Sequence, residues 1–191
     1  MKHFLIRYAP RTVFVLFLLG FASLFYFSSP DSIIAYLGVE NAYVVIFILA
    51  VIGGLSTFSG VPYHLVLVTL ATGGASPVWL GLCAAVGVML GDATSYFIGY
   101  SGREIIPVKI QKWLNSFYAY GARYPRLMPL AFFVYGSVSP FSNDFIVISA
   151  GLAKYPFWKV MLPLALGNVV FNIGLAYFAG SVYGVLQGWI L

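Results

Sequence analysis

Residues 127–153 read LMPLAFFVYGSVSPFSNDFIVISAGLA, an apolar run that Ser137-Val138-Ser139-Pro140 interrupts near its middle. An earlier apolar run, residues 42–75, is interrupted in a similar way by Ser59-Gly60-Val61-Pro62. Proline and clustered hydroxyls are not expected in the middle of an ordinary transmembrane helix. The two runs therefore predict pairs of short helices, each pair joined at a break.

Proline, glycine and tryptophan positions indicate that this pattern is a repeat. Eight residues of the first unit match eight of the second in order, with an offset that grows from 78 to 81 residues. Repeated hydrophobic segments broken by Gly and Pro are typical of transporter folds, in which paired broken helices meet near the bilayer midplane. The matched pairs are Pro62/Pro140, Gly73/Gly151, Pro77/Pro156, Trp79/Trp158, Gly87/Gly167, Asp92/Asn172, Tyr96/Tyr177 and Gly99/Gly180.

The composition predicts an integral membrane protein. The 191-residue chain is 61% hydrophobic and 8% charged, whereas a soluble domain carries about 25% charged residues. Its basic residues lie between the apolar runs, where they set membrane orientation, so we expect no nucleic-acid partner. The lone Cys83 excludes an internal disulfide. The sequence shows no metal-ligand spacing, phosphate loop or catalytic triad, so we expect neither a cofactor nor an enzyme, and it leaves the oligomeric state open.

The clean apolar stretches predict full transmembrane helices. Residues 77–100 and 156–182 each follow a broken run and have the length that crosses a bilayer. Residues 12–28 follow three basic residues, as in a signal peptide. The bulky aromatics of 25–27 offer no small-residue cleavage site, so we predict a retained first transmembrane helix.

The distribution of charge predicts that the two units are inverted relative to each other. The loop after the first span carries two acidic residues, whereas the polar middle segment, 101–126, has a net charge of +4. Basic segments stay in the cytoplasm. If 42–58 crossed fully, the middle segment would lie outside. If 42–75 and 127–153 are re-entrant hairpins from opposite faces, every basic cluster lies inside, the N-terminus is cytoplasmic and the C-terminus is outside.

The middle segment also predicts a short amphipathic helix over 107–119. Apolar residues recur there at helical spacing, opposite lysines and small polar residues: Ile110, Trp113, Leu114 and Phe117. Such a helix suits the headgroup region of a membrane. It can equally be a linker that docks on the inner face.

Polar residues at the breaks predict a central cavity, because non-helical backbone at membrane depth needs protein or water partners. We expect Pro62 and Pro140 to begin half-helices whose positive ends favour an anion such as a phosphate. The alternative is that the hydroxyls only cap the broken helices, with Ser139 as an N-cap for Pro140. The candidate cavity residues are Ser59, Ser137, Ser139, Ser142 and Asn143.

Three ionisable residues lie within the apolar runs, where such residues are costly and are functional candidates by default. Asp92 follows Gly87-x-x-x-Gly91, a small-residue face that places the carboxyl inside the helix bundle. His64 and Asp144 lie two and four residues after the paired prolines. Together they could carry or couple a proton. The alternatives are structural: a hydrogen bond to a facing helix for Asp92, a local partner for His64, and dipole complementation for Asp144.

The stretch Gly91-Asp92-Ala-Thr-Ser-Tyr96-Phe-Ile-Gly99-Tyr-Ser-Gly102-Arg103, together with Ala150-Gly151-Leu152-Ala153 and Phe157-Trp158, resembles the DedA/VTT family, also called SNARE-associated Golgi proteins. The resemblance covers residues 45–182. It implies two re-entrant hairpins from opposite faces and a role in moving lipids, including phospholipids and polyprenyl phosphates, between leaflets, with proton coupling in some members. Family members often have an acidic residue shortly after the first hairpin proline and arginines three residues before and after the second. This chain has His64, Ser137 and Asn143 there.

These observations predict a multi-pass protein of the cytoplasmic membrane that translocates or scrambles lipids through a polar cavity, with proton coupling through Asp92 and Asp144. Because the family arginines are absent, the substrate can be less anionic, or the site can rely on half-helix ends and hydroxyls, or transport can be lost. A small-solute or ion transporter and a non-transporting structural protein remain the alternatives.

Overall fold

The described part of the protein is helical throughout. The computed structural model describes residues 28–55, 62–103, 107–139 and 142–190, with single helical positions at 12, 16, 19, 20 and 23. The predicted first span, 12–28, therefore lies largely outside the described residues. The helices are α1 (Pro30–Leu37), α2 (Val39–Gly54), α3 (Tyr63–Thr72), α4 (Pro77–Gly102), α5 (Val108–Arg123), α6 (Leu127–Val138), α7 (Asp144–Leu152) and α8 (Phe157–Ile190).

Two helices are long and apolar enough to cross a membrane: α4 over its whole length, and α8 from Phe157 to Tyr183. Each follows a pair of shorter apolar helices, α2 and α3 or α6 and α7. The predicted fold class, an all-helical polytopic membrane protein built from two hairpin-plus-span units, is confirmed. The last helix continues to Ile190, eight residues beyond the predicted end of the span.

The loop expected after the first span is partly helical. Ser29 caps α1 by accepting a hydrogen bond from the Ser32 amide, and Pro30 occupies its first turn. Gly38 then bends the chain at φ +80°, so that α1 and α2 meet at 100°. These are standard start and stop signals for a helix. The acidic segment is therefore an ordered element that packs on α3.

One short helix of each unit packs on the long helix of the other unit. The first helix of each pair packs along the long helix of its own unit, α2 on α4 and α6 on α8. The second helix of each pair packs mainly on the long helix of the other unit, α3 on α8 and α7 on α4. The two long helices also pack on each other. Each long helix is therefore covered by short helices from both units.

Glycines allow the closest of these contacts. A Cβ on Gly54 of α2 would lie 2.7 Å from the Val88 carbonyl oxygen of α4, and a Cβ on Gly91 would overlap the backbone of Gly54. In the second unit, a Cβ on Gly136 of α6 would lie 2.7 Å from the Leu164 carbonyl oxygen of α8. Such backbone contact between helices is how small residues stabilise bundles in membranes. The predicted role of the Gly87-x-x-x-Gly91 face is consistent with this packing.

Candidate functional site

A buried polar layer lies between two apolar cores. Along α4, Val88 belongs to the first core and Tyr96 to the second, with Asp92 between them. Along α8, Leu164 belongs to the second core and Ala176 to the first. We call the buried or half-buried polar residues at this level the polar layer: Asp92, Ser95, Asn143, Asp144, Asn168 and Asn172.

Asp92 is joined to the break of the second unit by a direct hydrogen bond. The side-chain amide of Asn143 donates to Asp92 Oδ2 over 2.8 Å. Asn143 is the N-cap of α7, yet its side chain makes no capping hydrogen bond. An N-cap asparagine ordinarily accepts from the helix backbone. Its use across the bundle indicates that contact with Asp92 outweighs local capping at this position.

The second carboxyl, Asp144, opens α7 and is also held across the bundle. Ser95 Oγ of α4 donates to Asp144 Oδ1 over 2.7 Å, and Ser142 Oγ donates to Asp144 Oδ2 over 2.7 Å. Asp144 is 4% exposed and Asp92 is 2% exposed. Two ionised carboxyls in one buried site disfavour each other.

Two further members of the layer, Asn168 and Asn172, were not predicted as site residues. Both are buried on α8, and Asn172 is 0% exposed. Asn168 Oδ1 accepts a long hydrogen bond of 3.4 Å from Asn143, whereas Asn168 Nδ2 and Asn172 Oδ1 have no hydrogen-bond partner among the described residues. Unpartnered buried polar atoms are rare in proteins and mark sites of function or bound water.

The sequence held signals for the residues that were missed. Asn172 aligns with Asp92 in the repeat, and Asn168 lies one helical turn before it. Ser95 lies three residues after Asp92, on the same face of α4. The structure adds what the alignment could not, namely that Asn168 reaches the Asn143 side chain at the second unit's break.

Among the remaining predicted hydroxyls, Ser137 bonds within its own helix. Ser137 donates back to the Phe133 carbonyl of its own helix over 2.8 Å, which is a local bond. Ser139 is the C-cap of α6, so the interpretation of Ser139 as an N-cap for Pro140 is wrong. The second half-helix begins at Asp144, and Pro140 and Ser59 lie outside the described residues.

The first break places Pro62 and His64 next to an aromatic group. Pro62 is the N-cap of α3, one residue before the helix begins. The His64 ring lies 3.9 Å from the Tyr63 ring and 5.7 Å from the Phe171 ring, centroid to centroid. Tyr63 belongs to the first core, and Phe171 precedes Asn172 of the polar layer on α8. His64 thus lies beside the polar layer, in aromatic surroundings.

A polar layer built from the break of the second short-helix pair and two long apolar helices is typical of a multi-pass membrane protein of the transporter type. The family comparison agrees with this class. The family model of the VTT domain matches residues 61–181, well over half of the chain, and the chain belongs to the VTT-domain (DedA, SNARE-associated Golgi) family. No curated protein and no solved structure matches the chain.

Proposed function

We propose that this protein moves phosphate-bearing lipids between the two leaflets of the cytoplasmic membrane, with the polar layer as the path for the headgroup. The observation that carries the proposal is the buried pair Asp92 and Asp144, each hydrogen-bonded across the bundle at the second break. Intramembrane carboxyls of this kind are typical of substrate or proton pathways. Membership of the family supports a transporter-like role.

Proton coupling follows from the chemistry of the layer. Asp144 occupies the first turn of α7, where the N-terminal end of a half-helix would otherwise attract an anion. An anionic headgroup can enter beside two carboxyls only when charge repulsion is reduced. Protonation of one carboxyl removes that repulsion. Passage of a phosphate headgroup is therefore tied to uptake of a proton by the pair.

The proposed orientation keeps the N-terminus and α5 in the cytoplasm. The N-terminal segment and the segment around α5 carry the basic residues, and α1 carries Asp31, which suits the opposite face. This orientation makes both broken pairs re-entrant hairpins, one from each side of the membrane. Tyr36 of α1 is 96% exposed and offers a position for testing it.

The direct test is lipid exchange in vesicles that contain the purified protein and a fluorescent phospholipid, with dithionite quenching the outer leaflet. We expect exchange by the parent and a loss of exchange in Asp92→Asn/Asp144→Asn. The matched control is Asp31→Asn, the same change at an exposed position. Parent-level exchange in the double variant would contradict the role of the polar layer.

One observation favours a second candidate, a small-solute or ion transporter. Asp92 and Asp144 are almost fully enclosed, so the described conformation admits a proton or a small ion and no headgroup. This candidate predicts proton or ion flux into protein-containing vesicles without lipid exchange. A pH-sensitive dye inside the same vesicles reports the proton flux, and dithionite quenching reports lipid exchange. Proton flux without quenching of the inner-leaflet lipid would favour the ion transporter.

A further inference from the structure

A pocket lies at the corner where α4, α5, α7 and α8 meet, away from the polar layer. Its cavity volume is about 480 Å³, which is within the range of ligand pockets. Among the described residues, the charged side chains that line it are both cationic. We call it the corner pocket, and its lining residues are Arg103, Asn115, Tyr118, Ala153 and Lys154.

The guanidinium of Arg103 is held in place at the wall of this pocket. Arg103 Nη1 donates to the Leu152 carbonyl over 3.1 Å, and Nη2 donates to Asn115 Oδ1. These bonds join the end of α4 to α5 and α7. A guanidinium carries five N–H donors, so two bonds position it and leave capacity for an anionic ligand.

Lys154 adds a second cation at some conformational cost. Its backbone has φ +54°, the only positive φ at a non-glycine residue among the described residues. Lys154 follows the end of α7, and its backbone N–H donates a hydrogen bond to the Gly151 carbonyl over 2.8 Å. The backbone N–H of Tyr155 donates to the Ala150 carbonyl. This left-handed closure of a helix ordinarily uses glycine.

The first unit provides an internal comparison for this turn. Gly74 closes α3 with φ +94°, and its N–H bonds the Ala71 carbonyl while the Ala75 N–H bonds the Leu70 carbonyl. The two turns share this hydrogen-bond pattern, with glycine at the positive φ in one and lysine in the other. A lysine kept where the backbone favours glycine points to a function for its side chain.

Exposed aromatic residues place the corner pocket at the level of lipid headgroups. Tyr118 lines the pocket, and the Lys154 ammonium lies 5.1 Å from the centroid of the Tyr100 ring. Trp158, at the start of α8, is 60% exposed. Exposed tyrosine and tryptophan at the ends of transmembrane helices are typical of the membrane–water interface. The amphipathic helix α5, which also suits that depth, forms one wall of the pocket.

We propose that the corner pocket binds the anionic phosphate headgroup of a membrane lipid, with Arg103 and Lys154 as its ligands. The acyl chains then lie along the apolar surface of α4, where Phe97 is exposed. This site goes beyond the translocation path and is independent of it, because binding is measured without lipid movement. A free phosphate monoester shares the headgroup chemistry but lacks the chains.

The test is native mass spectrometry of the purified full-length protein titrated with phosphatidylglycerol. Lys154→Gly removes the ammonium and converts the turn to the form found at Gly74, so the variant is expected to fold. Removing one cation near an anionic lipid is expected to weaken binding about fivefold. The matched control is Lys159→Gln, which removes a positive charge close by in sequence but does not line the pocket.

Selective weakening by Lys154→Gly, restoration by Lys154→Arg, and weaker binding of phosphatidylcholine would support the site. Equal weakening by Lys154→Gly and Lys159→Gln would show a general effect of surface charge and overturn it. Unchanged binding in Lys154→Gly would also overturn it. A parallel titration with glycerol phosphate identifies the source of the headgroup. Equal affinity for the soluble ester would reject a lipid ligand.

Discussion

Asn143 Nδ2 and Asp92 Oδ2 are joined by a 2.8 Å hydrogen bond that spans 51 positions of the chain. The bond ties the second break to the middle of α4, in the other unit. Because Asn143 is uncharged, it can bond Asp92 in either protonation state of the carboxyl. A neutral partner therefore permits a proton to come and go at Asp92, whereas a cationic partner would hold the carboxyl ionised.

A double-mutant cycle measures this bond. We expect Asn143→Ala and Asp92→Ala each to lower the free energy of unfolding in detergent, and the two effects to be non-additive by about 0.5–3 kcal/mol, as for residues in direct contact. Thermal unfolding of the two single variants, the double variant and the parent gives the coupling. Additive effects would show that the two side chains are not in contact.

Ser95→Ala tests the support of Asp144. The substitution removes the buried hydrogen bond from Ser95 Oγ to Asp144 Oδ1, at a cost of about 1–3 kcal/mol. The neighbouring Thr94→Ala is the control, since Thr94 is exposed and its hydroxyl bonds the Gly91 carbonyl within its own helix. Thermal unfolding should show a clear loss for Ser95→Ala and little change for Thr94→Ala. Equal losses would contradict the cross-bundle bond.

Asn172→Leu separates stability from activity. Leucine has a similar size and removes Oδ1, which has no partner among the described residues. It also removes the Nδ2 bond to the Asn168 carbonyl of the same helix, and we expect a net rise of about 1 kcal/mol in the free energy of unfolding. The same change removes a polar group from the proposed path and should lower lipid exchange. Thermal unfolding and the vesicle assay on one preparation give both values. A destabilised variant would indicate that the hydrogen bonds of the Asn172 amide stabilise the fold by more than the burial of Oδ1 costs.

Gly91→Ala tests the contact between α2 and α4. The added Cβ overlaps the backbone of Gly54, so we expect a loss of about 1–3 kcal/mol in unfolding free energy. Gly174→Ala is the control, because its Cβ would meet nothing within 4 Å and alanine favours a helix interior by about 0.5–1 kcal/mol. Opposite signs for the two variants in thermal unfolding are expected. Equal tolerance of both would mean that the helices lie farther apart.

Cysteine labelling tests the proposed orientation. In a Cys83→Ser background, Lys112→Cys on α5 should react with a membrane-impermeant maleimide only from the cytoplasmic side. Tyr36→Cys on α1 should react only from the opposite side. Both positions are exposed, so access is set by the membrane. Labelling of both variants from the same side would contradict the inverted hairpins.

The sequence predicted the long helices and the central acids because these signals are local. Span 77–100 corresponds to Pro77–Gly102, since proline and the apolar run define it. Asp92 and Asp144 were identified because ionisable residues stand out in apolar runs. Their partners could not be assigned, because Ser95 and Asn143 look like ordinary polar residues until α7 is placed on α4.

Other features depended on competing local signals. The interpretation of Ser139 as an N-cap was wrong because Ser139 ends α6 and the chain needs four more residues before α7 begins. The segment that forms α1 was predicted to be part of a short loop, although Ser29 and Pro30 carry a helix start. The amphipathic helix was predicted to end at residue 119 and continues to Arg123, beyond its periodic apolar positions.

Because α3 packs mainly on α8 and α7 packs mainly on α4, each half of the molecule lacks the main packing partner of one of its short helices when it is alone. A fragment that ends before α5 would retain α3 without the α8 surface that covers it, and the remaining fragment would retain α7 without α4. When the first unit inserts during synthesis, α3 therefore lacks α8, its main packing partner, which is synthesised last. Assembly in the membrane is completed only by the last helix, and two separately expressed halves should stabilise each other only when both are present.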